Sequence, residues 1–282
     1  MSSKNPKLWT PDSLKNAALS TGRTLEVRTA AAFPKSNWAV LLNTYYADIV
    51  TGSVRELDVT AQRGFQDRSS KEPSWNFQVH VSCRSFPTGC RPVMYVATQE
   101  TDSLTTFTEP RLLFDGARPL RNAEHYGATL AFYLSRDLFG EMGPSSRILA
   151  FDVYEEERAG IKPKGDRKMK GDRDSLFPAM DSAIKSAAYW WQLDRKHPNS
   201  FSVYVPMLVL SEPWIQVQLE AAAPKEFSEG NVGYMFMGYP FAGAAARPEW
   251  FMSLICTMDA LPGVVKALLR ISETFRYDVQ NR

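Results

Sequence analysis

Two segments with a two-residue period constrain this chain more than any other feature. In 55–62, Leu57, Val59 and Ala61 alternate with Glu56, Asp58 and Thr60; in 77–84, Phe77, Val79, Val81 and Cys83 alternate with Gln78, His80, Ser82 and Arg84. Strand side chains point to opposite faces in turn, so both segments are predicted as strands with one apolar and one polar face. The polar stretch 63–74, holding Gly64, Asp67, Ser69, Ser70 and Pro73, reads as the hairpin loop between them.

The flanking segments supply the other elements of a mixed α/β layout. Leu25, Thr29, Ala32 and Phe33 share one face of a helix predicted over 23–35, which Pro34 ends. Residues 38–46 read as a strand, and 92–98 as a strand buried on both faces. A helix is expected over 122–139 and a longer one over 175–195. Segments 201–210 and 214–219 read as a hairpin around Ser211-Glu212-Pro213, and 221–231 reads as a loop. Strands at 232–239 and 250–257 lead to a last helix, capped by Asp259, with Pro262 just inside it and an end near Phe275.

No repeat and no Pro/Gly/Ser linker divides the chain. It reads as a single domain over 1–282, with a core at about 20–140, a loop-rich insertion at about 155–175, and C-terminal strands and a helix at about 200–276.

Composition narrows the function classes. Thirty-three basic residues against 31 acidic ones give a net charge of +2, which by itself implies no polyanionic partner. Cys83, Cys90 and Cys256 form no CxxC pair, which gives no support to a zinc site or a disulfide framework. Residues 1–6 lack the apolar core of a signal peptide, and no apolar run approaches the roughly 20 residues of a membrane span. The expectation is a reduced, cytoplasmic, soluble protein without a membrane partner; the oligomeric state is open.

A helix bearing Glu26, a strand RELDVTA (55–61), a strand ending VSCR (81–84) and a Pro-led apolar strand RPVMYV (91–96) follow in order. This order resembles the restriction-endonuclease-like, or PD-(D/E)xK, nuclease superfamily. The resemblance covers about residues 20–100, extends through the helix expected at 122–139, and is loose beyond it. It implies an α/β fold with a central mixed β-sheet flanked by helices, with insertions. In that superfamily a helix carries a Glu, a strand carries the Asp, and the next strand carries an acid-x-Lys pair, often inside a (V/I)-E-C-K string.

The resemblance therefore nominates Glu26, Asp58, Ser82 and Arg84 as the site, with Asp58 and Glu26 as metal ligands and Mg²⁺ as the cofactor if the protein cleaves. Here Ser82 and Arg84 stand where the pattern has a carboxylate and a lysine. Mg²⁺ is held by carboxylate oxygens, and Ser82 offers only a neutral hydroxyl. Arg84 stays protonated, so it can steady a phosphoryl oxygen but cannot act as a base. The expected function is a nuclease-like protein with an eroded active site that binds DNA, RNA or a protein partner with little or no cleavage. Two alternatives stand beside it: an active Mg²⁺-dependent nuclease with a reduced or migrated catalytic set, and a structural or assembly subunit.

Other residues have plainer readings beside functional ones. By parity His80 points toward the same cleft as Ser82, as a metal ligand or proton relay; the alternative is a hydrogen-bonded sheet histidine. His125 and His197 carry no pattern. Segment 158–173 holds seven basic residues against Asp166 and Asp172, and reads as a loop that either tracks a phosphate backbone or is simply solvated. Tyr189-Trp190-Trp191 is either a stacking platform or core, and Cys83 is read as a buried small hydrophobe. No Ser-His-Asp order, P-loop or dinucleotide fingerprint occurs, and no cofactor-binding residues are assigned.

Overall fold

A computed structural model describes residues 23–65, 74–86, 90–96, 113–115, 137–138, 140–142, 146–157, 160–163, 176–194, 200–220, 223–239 and 249–280. Among the described residues, helices α1 (Arg23–Ala32), α2 (Leu176–Asp194) and α3 (Leu261–Gln280) flank one mixed sheet. The strands are β1 (Ala39–Ala47), β2 (Val54–Phe65), β3 (Ser74–Arg84), β4 (Cys90–Val96), β5 (Leu113–Asp115) and β6 (Ser146–Glu157). They continue as β7 (Gly160–Pro163), β8 (Ser200–Leu210), β9 (Trp214–Glu220), β10 (Ala223–Gly230), β11 (Val232–Tyr239) and β12 (Glu249–Thr257). Their order across the sheet is β1-β2-β3-β8-β12-β11-β6-β4-β9-β10, with β5 on β8 and β7 on β6.

Both faces of the central strands are buried. On one face Phe77, Val79, Val81 and Cys83 of β3 and Val203, Val205, Met207 and Val209 of β8 join Leu25 of α1 and Val264, Leu268, Ile271 and Phe275 of α3. On the other, Tyr204, Leu208 and Leu210 meet Met180, Ile184, Ala187 and Trp191 of α2. The α/β class and the mixed sheet flanked by helices thus agree with the sequence expectation. The polar face expected for β3 is also interior, because α2 covers it: Gln78, His80 and Ser82 are all buried. No helix of the described residues is long and apolar enough to cross a membrane.

Several sequence expectations are corrected. Residues 201–210 and 214–219 do not form a hairpin. β8 lies between β3 and β12, parallel to both, whereas β9 pairs with β4 and β10. The end of β8 is tied to its parallel neighbours, with Ser211 N–H donating to the Arg84 carbonyl at 3.0 Å and the Leu210 carbonyl accepting from Met258 N–H, just past β12, at 2.8 Å. An apolar strand buried on both faces finds its partners in the sheet centre, as parallel strands do. Residues 221–231 are not a loop but contain β10, paired antiparallel to β9 with a register shift between Pro224 and Glu226. Pro224 is tolerated there because β10 is an edge strand.

The loop expected over 63–74 is shorter at both ends, since β2 runs to Phe65 and β3 starts at Ser74. Gly64, at φ +133°, meets the Trp75 carbonyl so closely that a Cβ would lie 2.2 Å from its oxygen. Within the basic stretch 158–173, Gly160–Pro163 form β7 on β6; the rest of it lies outside the described residues. So do nearly all of the helix expected at 122–139 and both His125 and His197. The last helix starts at Leu261. Gly263 and Val264 donate to the Ala260 carbonyl, and Thr257 Oγ1 accepts from Ala260 N–H, so Asp259 is not the cap. That helix also continues past Phe275 to Gln280.

Candidate functional site

The site is built where the β2 ladder breaks. β2 and β3 are paired from Phe65↔Trp75 to Val59↔Val81 and then part, while β3 stays paired with β8 as far as Arg84↔Leu210. On its other side β2 pairs with β1 at Leu42↔Val59 and Thr44↔Leu57, and the intervening Asn43 has φ +53°. Among the described residues Asn43 is the one non-glycine with positive φ, a conformation that asparagine tolerates better than most. Asp58 lies opposite it. The irregularity also reverses the side-chain alternation. Val59 and Ala61 pack in the core under α1 and α3, whereas Leu57 packs with Tyr46 and with Ala183 of α2. The expected common face of Leu57, Val59 and Ala61 is therefore corrected.

In the opening, Asp58 Oδ2 replaces the missing strand partner. It accepts Cys83 N–H at 2.6 Å and the Ser82 hydroxyl at 3.4 Å. Arg84 Nη1 donates to the Cys83 carbonyl at 3.2 Å, and its buried Nε has no hydrogen-bond partner among the described residues. Thr29 locks α1 above this end of β3: the Cys83 thiol donates to its Oγ1 at 3.5 Å, and that hydroxyl faces Met258 Sδ at 3.9 Å. Glu26 lies about one helical turn before Thr29 on α1, near enough for the Asp58 charge to act on it.

The four residues nominated from the sequence share one electrostatic neighbourhood. Burial raises the Asp58 pKa above the usual carboxylate value; the Cys83 amide, the Arg84 charge and the Ser82 hydroxyl work against that rise, and Glu56 adds to it. Glu26 is raised by burial first and by the Asp58 charge second, with Arg23 and Arg84 opposing. Two residues of this neighbourhood, Glu56 and Arg23, were not nominated from the sequence. Glu56 could have been, because it lies two residues before Asp58 on the same polar parity.

As ligands for a cation the set is thin. The Asp58 oxygen nearest β3 is engaged by an amide and a hydroxyl, Ser82 is neutral, and the Arg84 charge acts on both carboxylates. Among the described residues no group of three His, Cys, Asp or Glu side chains gathers closely enough to hold a metal ion.

His80 does not face this opening. It is fully buried beneath α2, with Nδ1 3.0 Å from Ser186 Oγ and Nε2 3.1 Å from Gln78 Oε1. Burial pushes its pKa down to about 3, so it is neutral. Trp191 is buried in the core beneath the sheet, Trp190 packs against it, and Tyr189 meets Trp190 edge-on at 5.7 Å, so this cluster is core rather than an open platform. Cys83 is buried, with its thiol pKa raised by burial. No protein-family model, curated protein or solved structure matches the chain.

Proposed function

We propose that this protein is a restriction-endonuclease-like domain whose active site has eroded, and that it binds nucleic acid without cutting it. The observation that carries the reading is the opening between β2 and β3. There Asp58 meets Ser82 and the Cys83 amide where two strands part, and the charges of Glu26 and Arg84 act on the same neighbourhood. Their order along the chain resembles that superfamily's signature.

The chemistry of the donor set argues against cleavage. Phosphodiester hydrolysis with Mg²⁺ needs hard oxygen ligands with open lone pairs. The residues present do not fit a resident Mg²⁺: one carboxylate oxygen is engaged by two donors, the second direct carboxylate is missing, and the local cation is a fixed guanidinium. Arg84 cannot give up its proton to serve as a base. The basic run at 158–173 supplies the charge that a phosphate backbone needs.

The test is an electrophoretic shift of labelled DNA and RNA in EDTA, repeated over a salt series, with parallel incubation in Mg²⁺ or Mn²⁺. Salt-dependent binding with intact substrate supports the reading. Metal-dependent cleavage abolished by Asp58→Asn would point to the active-nuclease alternative. Absence of binding and cleavage would point to a protein partner or a structural role.

A further inference from the structure

At Asp58 the Arg84 side chain carries the kind of charge that a divalent cation would bring, and at Glu26 it is joined by Arg23. Asp58 and Arg84 are fixed to the same peptide neighbourhood: Asp58 Oδ2 takes the N–H of Cys83 at 2.6 Å, and Arg84 Nη1 takes its carbonyl at 3.2 Å. Arg84 follows Cys83 directly, at the last residue of β3, where pairing with β8 still holds the backbone. Its guanidinium donates to the Cys83 carbonyl, and among the described residues no carboxylate lies within ion-pair distance of it. Its Nε, buried and without a partner among the described residues, can gain nothing from an arriving metal ion, which offers no acceptor. The positive charge nevertheless acts on both Asp58 and Glu26, against the repulsion between them. A metal ion entering the opening would meet a like charge, and it is that charge that opposes its entry.

We propose that Arg84 is the resident counter-charge of the Glu26–Asp58 opening and excludes divalent cations from it. This rests on the nuclease-like reading of the site and deepens it. Cleavage is lost because the cation's electrostatic place is taken by a side chain, over and above the carboxylate missing at Ser82.

Mn²⁺ alone is the probe, read by thermal shift and by the electron paramagnetic resonance signal of the free ion. The wild-type chain should show no Asp58-dependent Mn²⁺ binding at millimolar concentration. Arg84→Gln should bind Mn²⁺ more tightly than wild type by on the order of tenfold or more, with a metal-dependent rise in Tm. Arg84→Lys, which keeps the charge, should behave as wild type, and Arg84→Gln combined with Asp58→Asn should lose the gain. A folded Arg84→Gln variant with no gain, or Arg84→Lys gaining as much, overturns the proposal. So does wild-type Mn²⁺ binding that Asp58→Asn removes, an arm that needs no Arg84 variant to fold. Nucleic-acid binding by the wild-type chain in EDTA is scored separately, so the nuclease-like reading and the exclusion of cations fail on different measurements.

Discussion

Replacing Asp58 separates a structural carboxylate from a catalytic one, because the two roles predict different rankings of Asp58→Ala and Asp58→Asn. Asp58 Oδ2 is the acceptor for the Cys83 amide at the point where β2 leaves β3, and Cys83 is buried. Alanine removes that acceptor and leaves a buried N–H unsatisfied, which costs about 1–3 kcal/mol. Asparagine keeps an oxygen in reach of the same amide and removes a charge that burial disfavours, so it should stay within about 1 kcal/mol of wild type.

For a chain of this size each kcal/mol moves Tm by roughly 2–4 °C. Asp58→Ala should therefore melt roughly 2–12 °C below wild type, and Asp58→Asn close to it. The pH dependence has a definite sign. The folded-state pKa of Asp58 is raised above 3.8, so the folded chain holds this proton more tightly than the unfolded one. The stability from that proton is present below pH 3.8 and is lost as pH rises through the folded-state value. Relative to wild type, Asp58→Asn should therefore gain stability with rising pH across that window and stay level above it. Thermal and urea melts followed by far-UV circular dichroism at several pH values measure this. Equal destabilisation by both substitutions, or an Asp58→Ala variant as stable as wild type, would refute the reasoning.

The other predictions concern the frame around the site. In Gly230→Ala the new Cβ would lie 1.9 Å from Nε1 of the fully buried Trp214, so urea melts should show about 1–3 kcal/mol of destabilisation. Combining it with Trp214→Leu should cost less than the sum of the single changes. Lys185→Met removes from Asp48 the ammonium at 3.1 Å that ties the β1–β2 turn to α2 but leaves it Arg55 at 3.5 Å and the Val50 and Thr51 amides, and should cost about 1–2 kcal/mol. Burial works against the Asp48 charge, but the Val50 and Thr51 amides and Lys185 hold its pKa below 3.8. Wild-type stability should accordingly fall as pH drops below that value, and Asp48→Asn should flatten the fall in the same melts. Ser82→Glu with Arg84→Gln adds a second carboxylate beside Asp58 and removes the like charge, and should give a Mn²⁺-dependent rise in Tm that neither change gives as fully alone.

What could be read from the sequence follows from which forces act locally. The β2 and β3 segments announce themselves because one face of each packs against α1 and α3, and a two-residue period records that burial. Their pairing was equally plain, since they are neighbours in sequence. The reversal at Leu57 was not, because it arises from the backbone conformation of Asn43 on another strand. β10 was missed for a different reason: an edge strand carrying Pro224, Lys225, Glu226 and Glu229 has no apolar face to leave a period. The partners of β8 depend on contacts far apart along the chain, and the short Ser211–Pro213 connection suggested a hairpin that the sheet does not make. Within the site, Glu26 and Asp58 could be found through resemblance, whereas burial of the polar parity of β3 beneath α2 redirected His80 to Ser186. Glu56 and Arg23 join the site through space and left only the parity of Glu56 as a signal.

The most direct test of the central claim is one incubation of the wild-type chain with labelled DNA and RNA in parallel samples containing EDTA, Mg²⁺ or Mn²⁺, each divided between a native and a denaturing gel. The account predicts a shifted complex in EDTA that weakens with salt, with strands of unchanged length in every sample. Metal-dependent shortening of the strands, lost in Asp58→Asn, would contradict it.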